Sequence, residues 1–213
     1  GNVPAVRACL ESGEDVNKLL TLDEKTALHV AALFGHAAVV KALIEAGADV
    51  NKPASRPTLD ASGNRIVPHK NWTPLPLYWA VAAGNVPAVR VLLESGMDVN
   101  KDLTGDKRTA LHVAALYGHA ALVKALIEAG ADVNKTSSAY TVSHLNHKVT
   151  PVCAAAHRGH THVVMELIKA GADVNLATSD GFTPLYAAAQ NGREGIVALL
   201  IQAGADVRKA RKD

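Results

Sequence analysis

The sequence predicts an all-α solenoid built from short helical pairs. The segment TALHVAALYGHAALVKALIEAGADVN runs from Thr109 to Asn134, and an almost identical segment runs from Thr26 to Asn51. Similar endings occur at Asn17, Asn100 and Asn175, with a spacing of roughly 33–34 residues where no insertion intervenes. Such a period indicates a stacked array of repeats rather than a closed globule.

Each repeat contains signals that begin and end two helices. Thr109 opens the first helix, because its hydroxyl can accept a free backbone N–H, and Gly118 ends it in the left-handed conformation. A second helix follows, with apolar residues at three- and four-residue spacing on one face, and it ends at Gly130. Two helices of this size cannot bury an apolar face alone, so each repeat needs neighbours.

These residues carry a family resemblance. The pattern T-P-L-H-x-A-A-x-x-G-H, followed by V-x-x-L-I-x-A-G-A-D-V-N, resembles the ankyrin repeat over most of the chain. The resemblance implies helix–turn–helix pairs joined by β-hairpin-like loops. It also implies a binding surface made of turn tips and the variable positions of the first helices.

The predicted organisation is a single repeat domain over residues 1–213. It comprises a half repeat at 1–17, repeats at 18–51, 52–100, 101–134, 135–175 and 176–207, and a basic tail at 208–213. Two enlarged inter-repeat loops are expected at about 53–74 and 136–149, where Pro, Gly, Ser and basic residues accumulate. Counting back from Gly84 places the third repeat's opening motif at Leu75–Tyr78, so Thr73-Pro74-Leu75 is a misleading match.

A longer period lies above the short one. Gly1–Lys52 aligns with Gly84–Lys135 without a gap, and only about nine of some fifty positions differ. Recent duplication of a two-repeat block explains this similarity. The alternative is that two matching surfaces grip a partner that has its own repeat, which would add effective concentration to weak contacts.

Composition excludes several classes of function. The net charge of +2 is too small to indicate nucleic acid or an anionic membrane as partner. Cys9 and Cys153 lie far apart and imply no disulfide framework, which favours an intracellular, cytoplasmic setting. No apolar stretch is long enough to insert into a bilayer. Because the chain begins at Gly1 in a turn between helices, we expect it to be part of a longer protein.

The sequence gives no support for catalysis. Neither a Ser–His–Asp or Cys–His arrangement nor a phosphate-binding glycine loop is present, and the acidic residues recur with the repeat. An imidazole metal site could form from His144, His147, His157, His160 and His162. No cysteine pair accompanies these histidines, and His160 follows from the repeat pattern. We therefore expect no catalytic residue, cofactor, metal or small-molecule substrate.

The resemblance implies partner-binding positions just before the helix-ending glycines and just after the fourth motif residue. In this chain they are Val30, Leu33, Phe34, Trp79, Val113, Leu116, Tyr117, His157, Arg158, Gln190 and Asn191. The long loop adds Trp72. These positions grade from apolar and aromatic residues to polar and basic residues in the last third. Phe34, Trp79 and Tyr117 are favoured, because large rigid aromatics dominate interface hot spots. Alternatively, their rings cover the seam between first helices.

The sequence therefore predicts a non-catalytic protein-interaction module. Binding is expected on the concave first-helix and turn surface, with the 53–74 loop as a second contact. Two alternatives stay open: a structural scaffold subunit of a large assembly, and the regulatory ankyrin part of a longer enzyme. The identity of the protein partner does not follow from the fold.

Overall fold

The computed structural model describes residues 2–21, 24–54, 74–138, 149–178 and 181–209. Within these residues the chain forms eleven α-helices of seven to nine residues. They are α1 Val3–Glu11, α2 Ala27–Leu33, α3 Ala37–Glu45, α4 Pro76–Ala82, α5 Val86–Glu94, α6 Ala110–Tyr117, α7 Ala120–Glu128, α8 Pro151–Arg158, α9 Thr161–Lys169, α10 Pro184–Gln190 and α11 Glu194–Gln202. The predicted all-α repeat fold class is confirmed.

The helix boundaries follow the expected signals. Thr150 and Thr183 accept hydrogen bonds from the backbone N–H three residues later, at 3.3 and 3.1 Å. Gly118 ends α6 with φ +79°, where a Cβ would be strained. Helix α4 begins at Pro76 with Leu75 as its N-cap, which confirms that Thr73-Pro74-Leu75 is not a helix start.

Contacts divide the chain into two compact units, Gly1–Gly105 and Asp106–Asp213. In each unit the helices form two rows. In unit 1, the first helix of one repeat (α2) packs on the next first helix (α4), and the second helices follow the order α1, α3, α5. In unit 2, the first helices follow the order α6, α8, α10 and the second helices the order α7, α9, α11.

The core lies between these rows and is made of small and branched apolar side chains. Leu28, Leu92, Leu111, Leu126 and Leu200 are among the fully buried residues. Complete burial of such a side chain contributes roughly 1.5–3 kcal/mol relative to exposure. No short helical pair could provide this burial alone, so stability depends on stacking within each unit.

Both insertions begin and end at a pair of hydrogen-bonded backbone positions that the regular turns also have. We call this pair the neck. In the short turns, the Leu20 N–H donates to Lys25 O at 2.8 Å and the Thr178 N–H to Phe182 O at 3.1 Å. Ala54 N–H donates to Pro74 O at 3.1 Å, which closes the base of the first insertion. Ser137 and Val149 pair in an antiparallel bridge at the base of the second. Extra residues are therefore added beyond a fixed neck.

Asparagine side chains tie consecutive repeats together at their turns. Asn175 Oδ1 accepts the Asp206 N–H at 2.7 Å, and its Nδ2 donates to Gly204 O at 2.9 Å. Asn134 makes the same pair of bonds to Asp173 and Gly171, and Asn17 makes them to Asp49 and Gly47. Each amide thus satisfies two backbone groups of the next repeat.

A buried imidazole makes a second kind of bridge in unit 2. His112 Nε2 lies 2.9 Å from Val149 O, and Nδ1 accepts the Thr109 N–H at 3.3 Å and contacts the Thr109 hydroxyl at 2.9 Å. Because Nδ1 is the acceptor, the ring proton resides on Nε2 and is donated to Val149. Burial lowers the pKa of His112 from 6.5 to about 4. The neutral ring joins the α6 repeat to the neck of the next.

The two cysteines lie in contrasting surroundings. Cys9 is exposed on α1, whereas Cys153 is buried on α8, at the motif position that His112 occupies in α6. Burial raises the pKa of Cys153 to about 12, against smaller opposing effects of hydrogen bonds to Thr150. Both cysteines are free thiols.

We expect the His112 bridge to make stability sensitive to acid. The pKa of His112 is depressed in the folded state, so its contribution is complete above pH 6.5 and falls as the pH decreases towards 4. As the pH falls from 6.5 towards 4, the free energy of unfolding of the wild type should decrease by up to about 3 kcal/mol more than that of His112→Gln, whose side chain cannot titrate. Urea unfolding followed by circular dichroism at several pH values measures the difference. Parallel losses in the two proteins would contradict the expectation.

We expect only one thiol to react in the native protein. At pH 8 about one Cys153 side chain in ten thousand is a thiolate, and burial blocks access to it. A chromogenic disulfide reagent should therefore modify Cys9 at once and Cys153 only after denaturant is added. Native Cys9→Ser should show no rapid reaction, whereas Cys153→Ser should react like the wild type. A fast-reacting thiol in native Cys9→Ser would show that Cys153 is accessible.

Candidate functional site

The ends of the first helices carry the most exposed aromatic side chains in the described chain. Phe34, just after α2, is 66% exposed, and Tyr117, the last residue of α6, is 36% exposed. Leu33 and Leu116, which precede them, are half-buried, as is Val30 one turn earlier. The structure therefore places an aromatic ring at the surface beside a partly covered leucine in each unit.

Each exposed ring stacks on the histidine that follows the helix-ending glycine. The Phe34 and His36 rings are 6.3 Å apart with an interplanar angle of 24°, and those of Tyr117 and His119 are 6.2 Å apart at 20°. The same geometry thus occurs once in each unit. Each exposed ring therefore has an aromatic neighbour on one side, which favours a limited range of ring orientations.

Two residues of the predicted binding set belong to the core instead. Trp79 is 2% exposed and Val113 is fully buried, so neither presents a surface to a partner. The Trp79 ring packs edge-on against Tyr78, 5.6 Å away, and the Lys25 ammonium lies 4.2 Å from its centroid. Helix α4 is apolar around its circumference, as expected for a helix covered on all sides. Trp79 and Val113 therefore contribute to packing.

The remaining predicted positions lie at the polar end of unit 2. Arg158 and Gln190 are exposed, His157 and Asn191 are half-buried. Asn191 Nδ2 donates to Ala187 O at 2.8 Å and so caps the end of α10. Burial lowers the pKa of His157, and the nearby charges of Arg158 and Arg193 lower it further. This end of the first-helix row is cationic.

In three repeats the residue after the helix-ending glycine reaches back to the preceding first helix. Asn85 Nδ2 donates to Leu33 O at 2.7 Å, and His160 Nε2 lies 3.1 Å from Leu116 O. Arg193 occupies the same position, with its Nε 2.8 Å from where a Cβ on Gly159 would lie. Arg193 is not among the site residues predicted from the sequence. Its position after Gly192, equivalent to that of His160 after Gly159, is the signal that could have indicated it.

Trp72 lies outside the described residues, together with His144 and His147. Among the residues that the structure describes, no group of three or more His, Cys, Asp or Glu side chains could hold a metal ion. None of the helices in that part of the chain is long and apolar enough to cross a membrane.

Comparison with known proteins identifies the family to which these repeats are similar. A family model described as ankyrin repeats matches the chain in three copies, over residues 1–54, 59–137 and 139–211. The matched segments cover nearly the whole sequence and include every described helix. The comparison with curated proteins finds no match.

Proposed function

Because the chain belongs to the ankyrin repeat family, whose repeats are generally protein–protein interaction modules, we propose that it binds a protein partner through its first-helix ends. The observation that carries the proposal is the pair of exposed, stacked aromatic rings, Phe34 and Tyr117. First-helix residues such as Leu28 and Leu111 are fully buried, so the helices that end at these rings are anchored in the core. The role proposed is binding without catalysis.

The proposed surface differs in chemistry between the two units. In unit 1 it consists of Val30, Leu33 and Phe34 and is apolar. In unit 2 it consists of Leu116 and Tyr117, followed by the polar positions His157, Arg158, Gln190 and Asn191. Large aromatic and arginine side chains are the residue types that dominate measured hot spots, which supports this selection.

The mechanism follows from the rigidity of the scaffold. The Leu33 and Leu116 carbonyls next to the rings already accept bonds from Asn85 and His160. Binding therefore has little backbone order to create, and the buried area of the rings can contribute to affinity. Affinity would depend mainly on a few side chains rather than on a large conformational change.

We expect alanine at Phe34 or Tyr117 to weaken partner binding with little loss of stability. Peptides selected from a random library displayed on phage would serve as partners, and titration calorimetry would measure their affinity. Each of Phe34→Ala and Tyr117→Ala should reduce the affinity of peptides seated on its own unit by about tenfold or more. The free energy of unfolding should change by less than about 0.5 kcal/mol for Phe34, the more exposed ring.

Two variants act as controls. Ile201→Ala removes a large exposed side chain from the second helix α11 and should leave affinity unchanged. Trp79→Ala should destabilise unit 1 by about 3–5 kcal/mol, since it empties a buried site. Peptides that lose affinity with Ile201→Ala but keep it with both aromatic variants would place the binding surface on the second helices and refute the proposal.

A further inference from the structure

The polar end of unit 2 holds two arginines, Arg158 and Arg193. Neither forms an ion pair with any residue that the structure describes, although two carboxylates elsewhere in the unit are paired. The carboxylate of Asp106, for example, lies 2.9 Å from the Arg108 guanidinium, and that of Glu166 lies 2.8 Å from the Lys169 ammonium. Glu194 adjoins Arg193 in sequence but makes no ion pair with it.

The two arginines lie close together at the end of α8. Arg158 is the last residue of this helix, and the Arg193 side chain lies against Gly159, which follows it. Both charges act on His157, as the lowered pKa of its imidazole records. These three residues, His157, Arg158 and Arg193, form what we call the basic cluster.

The basic cluster adjoins the exposed aromatic ring of the same unit. The His160 imidazole contacts the end of α6, with Nε2 3.1 Å from Leu116 O and Nδ1 2.6 Å from where a Cβ on Gly118 would lie. Gly118 follows Tyr117 directly, while His160 follows Arg158 by two residues. An aromatic side chain, Tyr117, and a cationic side chain, Arg158, therefore lie at the ends of two consecutive first helices.

No carboxylate interrupts this row. The helices α6, α8 and α10 read ALHVAALY, PVCAAAHR and PLYAAAQ, without Asp or Glu. In unit 1 the corresponding positions are Leu33, Phe34, Ala82 and Ala83, which carry no charge. The positive charge on the first-helix ends is thus specific to unit 2.

We propose that unit 2 binds an acidic peptide segment, with its carboxylates on Arg158 and Arg193 and an adjoining apolar side chain on Tyr117. This inference rests on the proposed function, because it names the class of partner for the same first-helix ends. Arginine presents a planar fork of donors that matches a carboxylate, and such charge-assisted bonds are about twice as strong as neutral ones. Desolvation beside Tyr117 strengthens them further.

The test uses the full chain and three short fluorescent peptides. The peptides share a central Leu-Phe pair and carry glutamates, glutamines or lysines on either side of it. Fluorescence anisotropy should show that the glutamate peptide binds about tenfold or more tightly than the glutamine peptide, and that the lysine peptide binds least. The affinity of the glutamate peptide should fall as the salt concentration rises, as expected for an ionic contact.

Variants locate the contact. Arg158→Gln should reduce the affinity of the glutamate peptide about tenfold, while Arg158→Lys should restore part of it, because lysine keeps the charge but not the fork. Arg90→Gln removes another exposed arginine, one without an ion pair to any described residue, from the second helix α5, and it should leave binding unchanged. Circular dichroism melting checks that each variant folds.

Several results would overturn the inference. The first two are equal affinity for the glutamate and glutamine peptides, and no binding of any of the three peptides. The third is a loss of affinity with Arg90→Gln as large as that with Arg158→Gln. The fourth is tighter binding of a single-stranded oligonucleotide than of the glutamate peptide. The proposed function is tested separately by library peptides that depend on Tyr117. If these peptides depend on Tyr117 yet contain no excess of acidic residues, only the acidic preference fails.

Discussion

Hydrogen bonds between one repeat and the next are the interaction on which the structure depends. The Asp206 N–H and Gly204 carbonyl at a turn find their partner in Asn175, which belongs to the preceding repeat. His112 likewise binds the Val149 carbonyl across a repeat boundary. An exposed hydrogen bond of this kind contributes about 0.5–1.5 kcal/mol at most, whereas leaving the buried His112 Nε2–H without its partner would cost about 1–3 kcal/mol. A repeat out of register would lose several such bonds together, so these bonds fix the register that apolar packing alone would leave loose.

The shared neck explains why the chain tolerates insertions of different length. Backbone pairing at Ala54–Pro74 and at Ser137–Val149 holds the chain at the same point at which Leu20 pairs with Lys25 in a short turn. The added residues therefore lie, in sequence, between two positions whose pairing is the same with or without an insertion. Since the entropy of closing a longer loop grows only slowly with its length, the insertions cost little stability.

The sequence was sufficient to predict the fold, and the structure places Phe34 and Tyr117 at the surface as expected. Repeat spacing located the helices, and counting back from Gly84 correctly started α4 at Pro76. It could not predict that Trp79 is buried, because the equivalent residues range from half-buried Val30 to fully buried Val113. Exposure at that position depends on what packs above the helix in each repeat, which is a tertiary property. Arg193 was missed because its partner, Gly159, belongs to a different repeat.

Comparison of the two copies of the duplicated block shows which features the backbone keeps constant and which surface side chains differ. Phe34 and Tyr117 occupy equivalent positions and stack on equivalent histidines at nearly the same distance and angle. The next repeat differs, however, with Ala83 following α4 and Arg158 ending α8. One backbone geometry thus presents an aromatic ring beside an uncharged neighbour in unit 1 and beside a cation in unit 2. Because a buried residue touches many others and a helix end touches few, chemistry can change at the helix ends without disturbing the core. The difference in partner preference that we propose between the units therefore has its physical origin in these few terminal positions.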